Sequence, residues 1–325
     1  MKKFFYTLFA LLTLYLIFTI DITKLFEALS KIPLAITLLL ILLQAVTHLL
    51  IGLQWKDILK SNGVDISLVK MLYINLKGSI VEGVTPGVKI GSEAYKALAI
   101  KEHAGNKTSE SASYVVLQKL YSMTGFVFFS IISGLYIIAS IENINLVVAT
   151  AYILLGIVIL MLTLMAIIRP EKVSLLIKGK SKVTIKLKDF LLLYSRSANN
   201  ISKGKSKIAY QLVLSFLIWF LFPMKMYILL ACFGQPHIIA ALAITFISYS
   251  AGNIPILPGG LGSFEATMTA LISLLTSLSL VEGFAVTVIF RFITFWLVIV
   301  FGGLIVSLVK MREFCIKLRW LKYEK

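Results

Sequence analysis

Six stretches of this chain are long and apolar enough to be membrane crossings: 4–20, 33–53, 112–139, 146–168, 208–231 and 282–309. A helix rising 1.5 Å per residue needs about 20 residues to cross roughly 30 Å of hydrocarbon. In lipid the backbone has no water to bond, so each crossing must satisfy its own N–H and C=O groups as a helix. The expected fold class is therefore an all-α integral membrane protein. Composition agrees: 59% of residues are hydrophobic and 14% charged, against roughly 25% charged in soluble domains. Lys2 and Lys3 before the first run resemble the start of a signal peptide. The residues after Ile20 offer no small-x-small cleavage site, so the run reads as an uncleaved first span. Pro33 suits a first helical turn, where its missing N–H costs nothing.

Two further apolar regions are broken. The first, 68–102, is interrupted at Thr85-Pro86-Gly87; the second, 238–279, is interrupted between Ile254 and Gly262 by Pro255, Pro258 and three glycines. Proline and glycine both disfavour a continuous helix. Each region is expected to form a re-entrant hairpin of two short helices, entering the membrane and returning to the same side. Such backbone is tolerated only where protein or a polar cavity covers it.

Charge gives orientation. The strongly basic segments are 169–207 and 310–325, and basic flanks mark the cytoplasmic side. With the N-terminus inside, the expected spans and hairpins bring both segments to that side. The order span, span, hairpin, span then occurs twice with opposite orientation, in 1–140 and in 141–309. That is the pattern of an inverted repeat within a single membrane domain. The hairpins echo each other locally: Pro86-Gly87-Val88-Lys89-Ile90-Gly91-Ser92-Glu93-Ala94 against Pro258-Gly259-Gly260-Leu261-Gly262-Ser263-Phe264-Glu265-Ala266.

The breaks carry candidate chemistry. A half-helix starting near Gly91-Ser92 or Gly262-Ser263 would expose unbonded N–H groups with partial positive charge. Serine favours the N-cap position, and glycine admits a ligand close to the backbone. Such an end can receive a phosphate, or it can be a packing turn only. Arg291 lies about ten residues into the last span and needs a partner there. Glu265 and Glu93 are the candidates, and a lipid phosphate competing for the guanidinium is the alternative to a permanent ion pair. Lys89 and Lys96 flank the first hairpin and either touch substrate or snorkel. Lys225, near the outer end of its span, is expected to snorkel. Gln44 and His48, four residues apart, are expected to bond between helices. Gln118 and Lys119 admit either role, and Asn253 is expected to bond the freed backbone of its own hairpin.

Other classes are disfavoured. The net charge of +17 follows the membrane flanks, which attract anionic headgroups, so no nucleic-acid partner is expected. Gly179-Lys180-Ser181 and Gly204-Lys205-Ser206 lack the upstream glycine of a phosphate-binding loop; Ser174 and Asn199 stand there. Cys232 and Cys315 fall on opposite sides in this topology, and the histidines are far apart. No metal, cofactor or catalytic residue is expected.

The segments Thr85-Pro86-Gly87 through Gly91-Ser92-Glu93-Ala94-Tyr95-Lys96, Asn253-Ile254-Pro255 through Pro258-Gly259-Gly260-Leu261-Gly262-Ser263-Phe264-Glu265, and Arg291 to Trp296 resemble the lysylphosphatidylglycerol synthase transmembrane-region family. That family is also called flippase-like or UPF0104. The resemblance covers nearly the whole chain and implies lipid handling. In larger members this region resembles a flippase joined to a soluble aminoacyl-transferase domain, which is not seen here. An acidic-basic pair is common in the third span of the family, and Gln118-Lys119 stands at that place. The resemblance implies a flippase or scramblase for a phospholipid or polyprenyl-phosphate-linked lipid. The alternatives are the membrane part of a phosphatidylglycerol lysyltransferase system, or a scaffold for glycan-lipid assembly. The expected partners are a membrane lipid, anionic, and a separate lipid-modifying enzyme. The expected location is the cell membrane, with both termini cytoplasmic. Residues expected to meet the headgroup are Pro86, Gly87, Gly91, Ser92, Glu93, Lys96, Pro258, Gly259, Gly260, Gly262, Ser263, Glu265 and Arg291.

Overall fold

The computed structural model describes residues 22–85, 90–142, 145–175, 181–202, 204–253 and 258–323. Every regular element among them is helical: α1 (Ile22–Ser30), α2 (Leu34–Ser61), α3 (Leu68–Val84), α4 (Ile90–Ala104), α5 (Thr108–Ser140), α6 (Leu146–Ile168), α7 (Pro170–Leu175), α8 (Lys182–Ser202), α9 (Lys205–Ala231), α10 (Ile238–Gly252), α11 (Ser263–Leu275), α12 (Leu280–Arg291) and α13 (Leu297–Tyr323). Five of the expected spans correspond to α2, α5, α6, α9 and the run from α12 into α13. The span expected at 4–20 lies outside the described residues.

Local chemistry starts these helices where polar side chains replace missing backbone partners. Ser67 accepts the Lys70 N–H at 3.2 Å, and Asn145 accepts from Val147 and Val148 at 3.1 and 3.2 Å. Ser279 and Glu282 exchange bonds as a capping box at the start of α12. α5 and α9 cross closely at Gly125, where a Cβ would stand 2.8 Å from the Ser215 carbonyl oxygen. Small residues at such crossings let helix backbones pack in lipid. The exterior is apolar, with Val147, Met161 and Leu304 all exposed. The interior holds buried Gln44, Gln54, Gln118 and Gln211. Gln118 donates to Gln54 at 3.0 Å, and Gln211 donates to Asp57 at 2.7 Å.

Hydrogen bonds fix which ends of the bundle meet. Lys207 donates to Ser61 at 3.1 Å, Asn200 to Asn62 at 3.2 Å, and His103 lies 2.9 Å from the Asp65 carbonyl. These contacts gather the C-terminal end of α2, the start of α3, the end of α4 and the start of α9. At the other end Lys31 pairs with Glu282 at 2.7 Å, and Gln235 donates to Ser277 at 2.6 Å. The hairpin α3–α4 therefore opens at one end of the bundle and the hairpin α10–α11 at the other. α12 starts beside Lys31 and leads through α13 to the first end, so the described parts of both basic segments share that end.

Two elements differ from expectation. The basic stretch 169–207 is not a plain loop: α8 packs Tyr194, Ala198 and Ile201 into a core with Ile58, Leu117, Tyr121 and Ile167. Tyr194 donates to the Ala166 carbonyl at 2.8 Å. The last span is not one regular helix: α12 ends at Arg291, a π-turn covers Phe292–Trp296, and α13 continues as helix into the basic tail.

Candidate functional site

The turn of the second hairpin is built by glycine. Gly259, Gly260 and Gly262 have φ of 64°, 70° and 84°, a region other residues enter only at a cost. There is also no room: a Cβ on Gly260 would lie 2.5 Å from the Gly252 carbonyl oxygen, and one on Gly259 would lie 2.5 Å from the Phe295 ring. Pro258 opens a single 3₁₀ turn ahead of α11.

Arg291 clasps this turn. Its Nε donates to Glu265 Oε1 at 2.9 Å, and Nη2 donates to the Gly259 carbonyl. Its guanidinium stacks between Phe264 and Phe295, 4.6 and 4.1 Å from the ring centroids. Glu265 Oε2 in turn accepts the Gly262 N–H at 2.7 Å. The partner of Arg291 is thus Glu265. Glu93 instead meets Lys119 at 3.3 Å.

Neither serine serves as the expected N-cap. Ser263 is the first residue of α11, and its hydroxyl donates back to Gly260 O at 3.3 Å. Ser92 lies inside α4, which begins at Ile90. The Gly262 N–H, expected to be open, is held by Glu265, because that carboxylate is the nearest acceptor one turn ahead. At Gly91 a Cβ would stand 2.4 Å from Thr85 Oγ1. Glycine there lets the end of α3 close over the start of α4. Pro86, Gly87 and Lys89, and with them that turn, lie outside the described residues.

Between the hairpins lies a cavity of about 190 Å³. Ser92, Glu93, Lys96 and Arg291 line it, together with Lys119, so the structure brings these expected residues to one space. Gly259, Gly260, Gly262, Ser263 and Glu265 stand behind Arg291 rather than in the wall. The wall also contains residues that the sequence reading did not single out: Asn75, Ser79 and Glu82 from α3, Trp55 from α2, and an aromatic side of Trp219, Phe222, Tyr249 and Phe295. The spacing of Asn75, Ser79 and Glu82 along the apolar run of α3 was the available signal, since it puts them on one helical face.

Lys225 does not snorkel. It is 1% exposed, and its ammonium donates to Gln44 and Thr47 with the Phe222 ring 4.3 Å away. α9 carries Pro223 in its interior, and Lys225 turns inward where α2 offers oxygen acceptors. Gln44 also lies 3.2 Å from His48, and its amide donates to the Thr294 carbonyl at 3.4 Å. The expected bonding between helices is present at Gln44. The side-chain role expected for Asn253 would fall on 254–257, outside the described residues; its backbone N–H closes α10 on Tyr249 O at 3.0 Å.

Chemically, the cavity offers paired and unpaired charge, amide donors and aromatic faces within an apolar shell. Among the described residues no group of three or more His, Cys, Asp or Glu could hold a metal ion.

A family model described as the lysylphosphatidylglycerol synthase TM region matches residues 6–302. A UPF0104 membrane protein of Pyrococcus horikoshii is 24% identical, over 94% of this chain and 97% of its own. Another from Methanothermobacter thermautotrophicus is 22% identical, over 85% of this chain and 86% of its own. A third, from Methanocaldococcus jannaschii, is 20% identical over 90% of each. With apolar crossings, two opposed hairpins and a family match over most of its length, this chain belongs to the lysylphosphatidylglycerol synthase TM-region family of multi-pass membrane proteins.

Proposed function

We propose that the protein moves a lipid between leaflets, its headgroup passing through the cavity while the acyl chains stay in the bilayer. The observation that carries this reading is a charged, hydrogen-bonding cavity enclosed by helices whose outer faces are apolar. A charged headgroup at the bilayer centre costs several kcal/mol without such partners. The two hairpins opening at opposite ends supply a symmetrical frame for alternating access. In this proposal 1–140 and 141–309 are inverted repeats that rock against each other about the cavity. The proposed home is the cell membrane, with the basic end of the bundle and both termini in the cytoplasm. The substrate is a phospholipid or polyprenyl-phosphate lipid of anionic character.

Reconstitution in liposomes tests this. An NBD-labelled anionic phospholipid, followed by dithionite quenching, is expected to equilibrate between leaflets faster than in protein-free liposomes. Ser79→Phe, which fills the cavity, is expected to abolish the acceleration. Rates equal to those of protein-free liposomes would reject the proposal.

A further inference from the structure

Charges around the cavity are matched unevenly. Arg291 is met by Glu265 and Lys119 by Glu93. Lys96 also lines the cavity, its ammonium 5.9 Å from the Trp55 ring centroid. Among the described residues no carboxylate lies within ion-pair distance of it. Beside it, two buried side chains hold donors with nothing to donate to. Asn75 is 4% exposed and neither of its amide atoms is bonded; Trp55 is fully buried and its indole N–H is unbonded. Buried polar groups are almost always bonded, so a cluster of unbonded ones on residues that line a cavity points to an absent partner.

Gly78 shapes the same place. It follows Asn75 by three residues on α3, and a Cβ there would stand 2.9 Å from both Lys96 Cε and Ser92 Oγ. The missing side chain is a notch that lets Lys96 and Ser92 reach the cavity wall beside Asn75. Glu82 lies four residues beyond Gly78 and lines the same cavity. Its carboxylate is not within ion-pair distance of Lys96. Glu93 is turned to Lys119 through Oε1, and its Oε2 is buried and unbonded.

Resting on the reading of the cavity as a headgroup site, we infer that Lys96, Asn75, Trp55 and Ser92 form the seat for a phosphoryl anion. An ammonium, an amide N–H, an indole N–H and a hydroxyl all donate, and the ionised oxygens of a phosphoryl group accept. Asn75 Oδ1 is left to accept from a water or hydroxyl beside the anion. The seat differs from the glycine turn of the second hairpin, where the Gly262 N–H and the Arg291 guanidinium are already engaged. The phosphoryl group is either the end of a lipid or free inorganic phosphate.

The test is calorimetric titration of the purified full chain with dihexanoyl phosphatidic acid, inorganic phosphate and uncharged dihexanoylglycerol. Phosphatidic acid is expected to bind and dihexanoylglycerol not to; binding of inorganic phosphate alone would assign the seat to a soluble anion. Lys96→Gln is expected to weaken phosphatidic acid at least tenfold, and Trp55→Phe severalfold. Gly78→Ala keeps the helix, because only flexible side-chain ends must move, yet displaces Lys96 and is expected to weaken binding severalfold. Equal affinity in wild type, Lys96→Gln and Gly78→Ala, or no phosphoryl binding at all, overturns the seat. Lys96-dependent binding without lipid translocation leaves the seat standing and rejects transport. Translocation that Lys96→Gln leaves unchanged does the reverse.

Discussion

Arg291 illustrates how a charge suited to grasping a ligand can be occupied by the fold. It makes an ion pair, a carbonyl bond and two ring contacts at once. Its partner Glu265 also accepts the N–H of Gly262, the residue just before its own helix α11. Removing one member of a desolvated pair leaves the other uncompensated, at about 3 kcal/mol. Glu265→Gln is therefore expected to lower stability by about that amount in detergent, measured by thermal or denaturant unfolding. Unchanged stability with lost transport would instead make Glu265 a substrate contact. Gly260 gives a second residue-scale prediction. Alanine there meets both a positive φ and a backbone oxygen 2.5 Å away. The left-handed conformation alone costs about 1–2 kcal/mol. Gly260→Ala is expected to reduce the yield of monodisperse protein sharply, while Gly303→Ala, with nothing within 4 Å of its Cβ, leaves it unchanged.

At the scale of elements, what the sequence disclosed depended on whether the cause was local. Proline and glycine act on their own backbone, so the ends of α3 at Val84 and of α10 at Gly252 are readable without a partner. The inner face of α8 was not, because Tyr194, Ala198 and Ile201 are buried only by other helices. The π-turn was also hidden: its defining bond runs from the Leu297 N–H to Phe292 O, and nothing in Phe-Ile-Thr-Phe-Trp announces it. π-turns often mark functional positions, and Thr294 and Phe295 from this one line the cavity. The burial of Lys225 is not legible from its distance along the chain. Gln44 and Thr47 on α2 decide its burial. α8 gives the prediction at this scale. Tyr194→Ala removes a fully buried ring and its bond to Ala166, at about 3–5 kcal/mol. Trypsin is then expected to cut near Lys186 and Lys188 at much lower protease concentrations than in wild type. Unchanged digestion would show that α8 is held by something other than this core.

For the whole molecule, the decisive geometry is the pairing of helix ends. Lys31 with Glu282, and further along both helices Gln44 with Thr294, fix α2 and the α12–α13 run as parallel. α9 runs the other way, since its start meets the end of α2 and Gln235 just beyond it meets Ser277. The described parts of the segments 169–207 and 310–325 then lie at one end of the bundle, and the hairpin α10–α11 opens at the other. A basic end held in the cytoplasm obeys the charge rule for insertion, whereas the reverse would carry most of the +17 charge across the bilayer. This fixes what an impermeant thiol reagent should reach. In a variant with Cys232 and Cys315 replaced by serine, Ser206→Cys is expected to label only after the membrane is opened. Gln235→Cys, at the opposite end of α9, is expected to label in intact cells. Labelling of both from the same side would contradict α9 as a crossing and, with it, the opposition of the two hairpins across the bilayer. Exchange of the two patterns would keep the fold and invert its orientation.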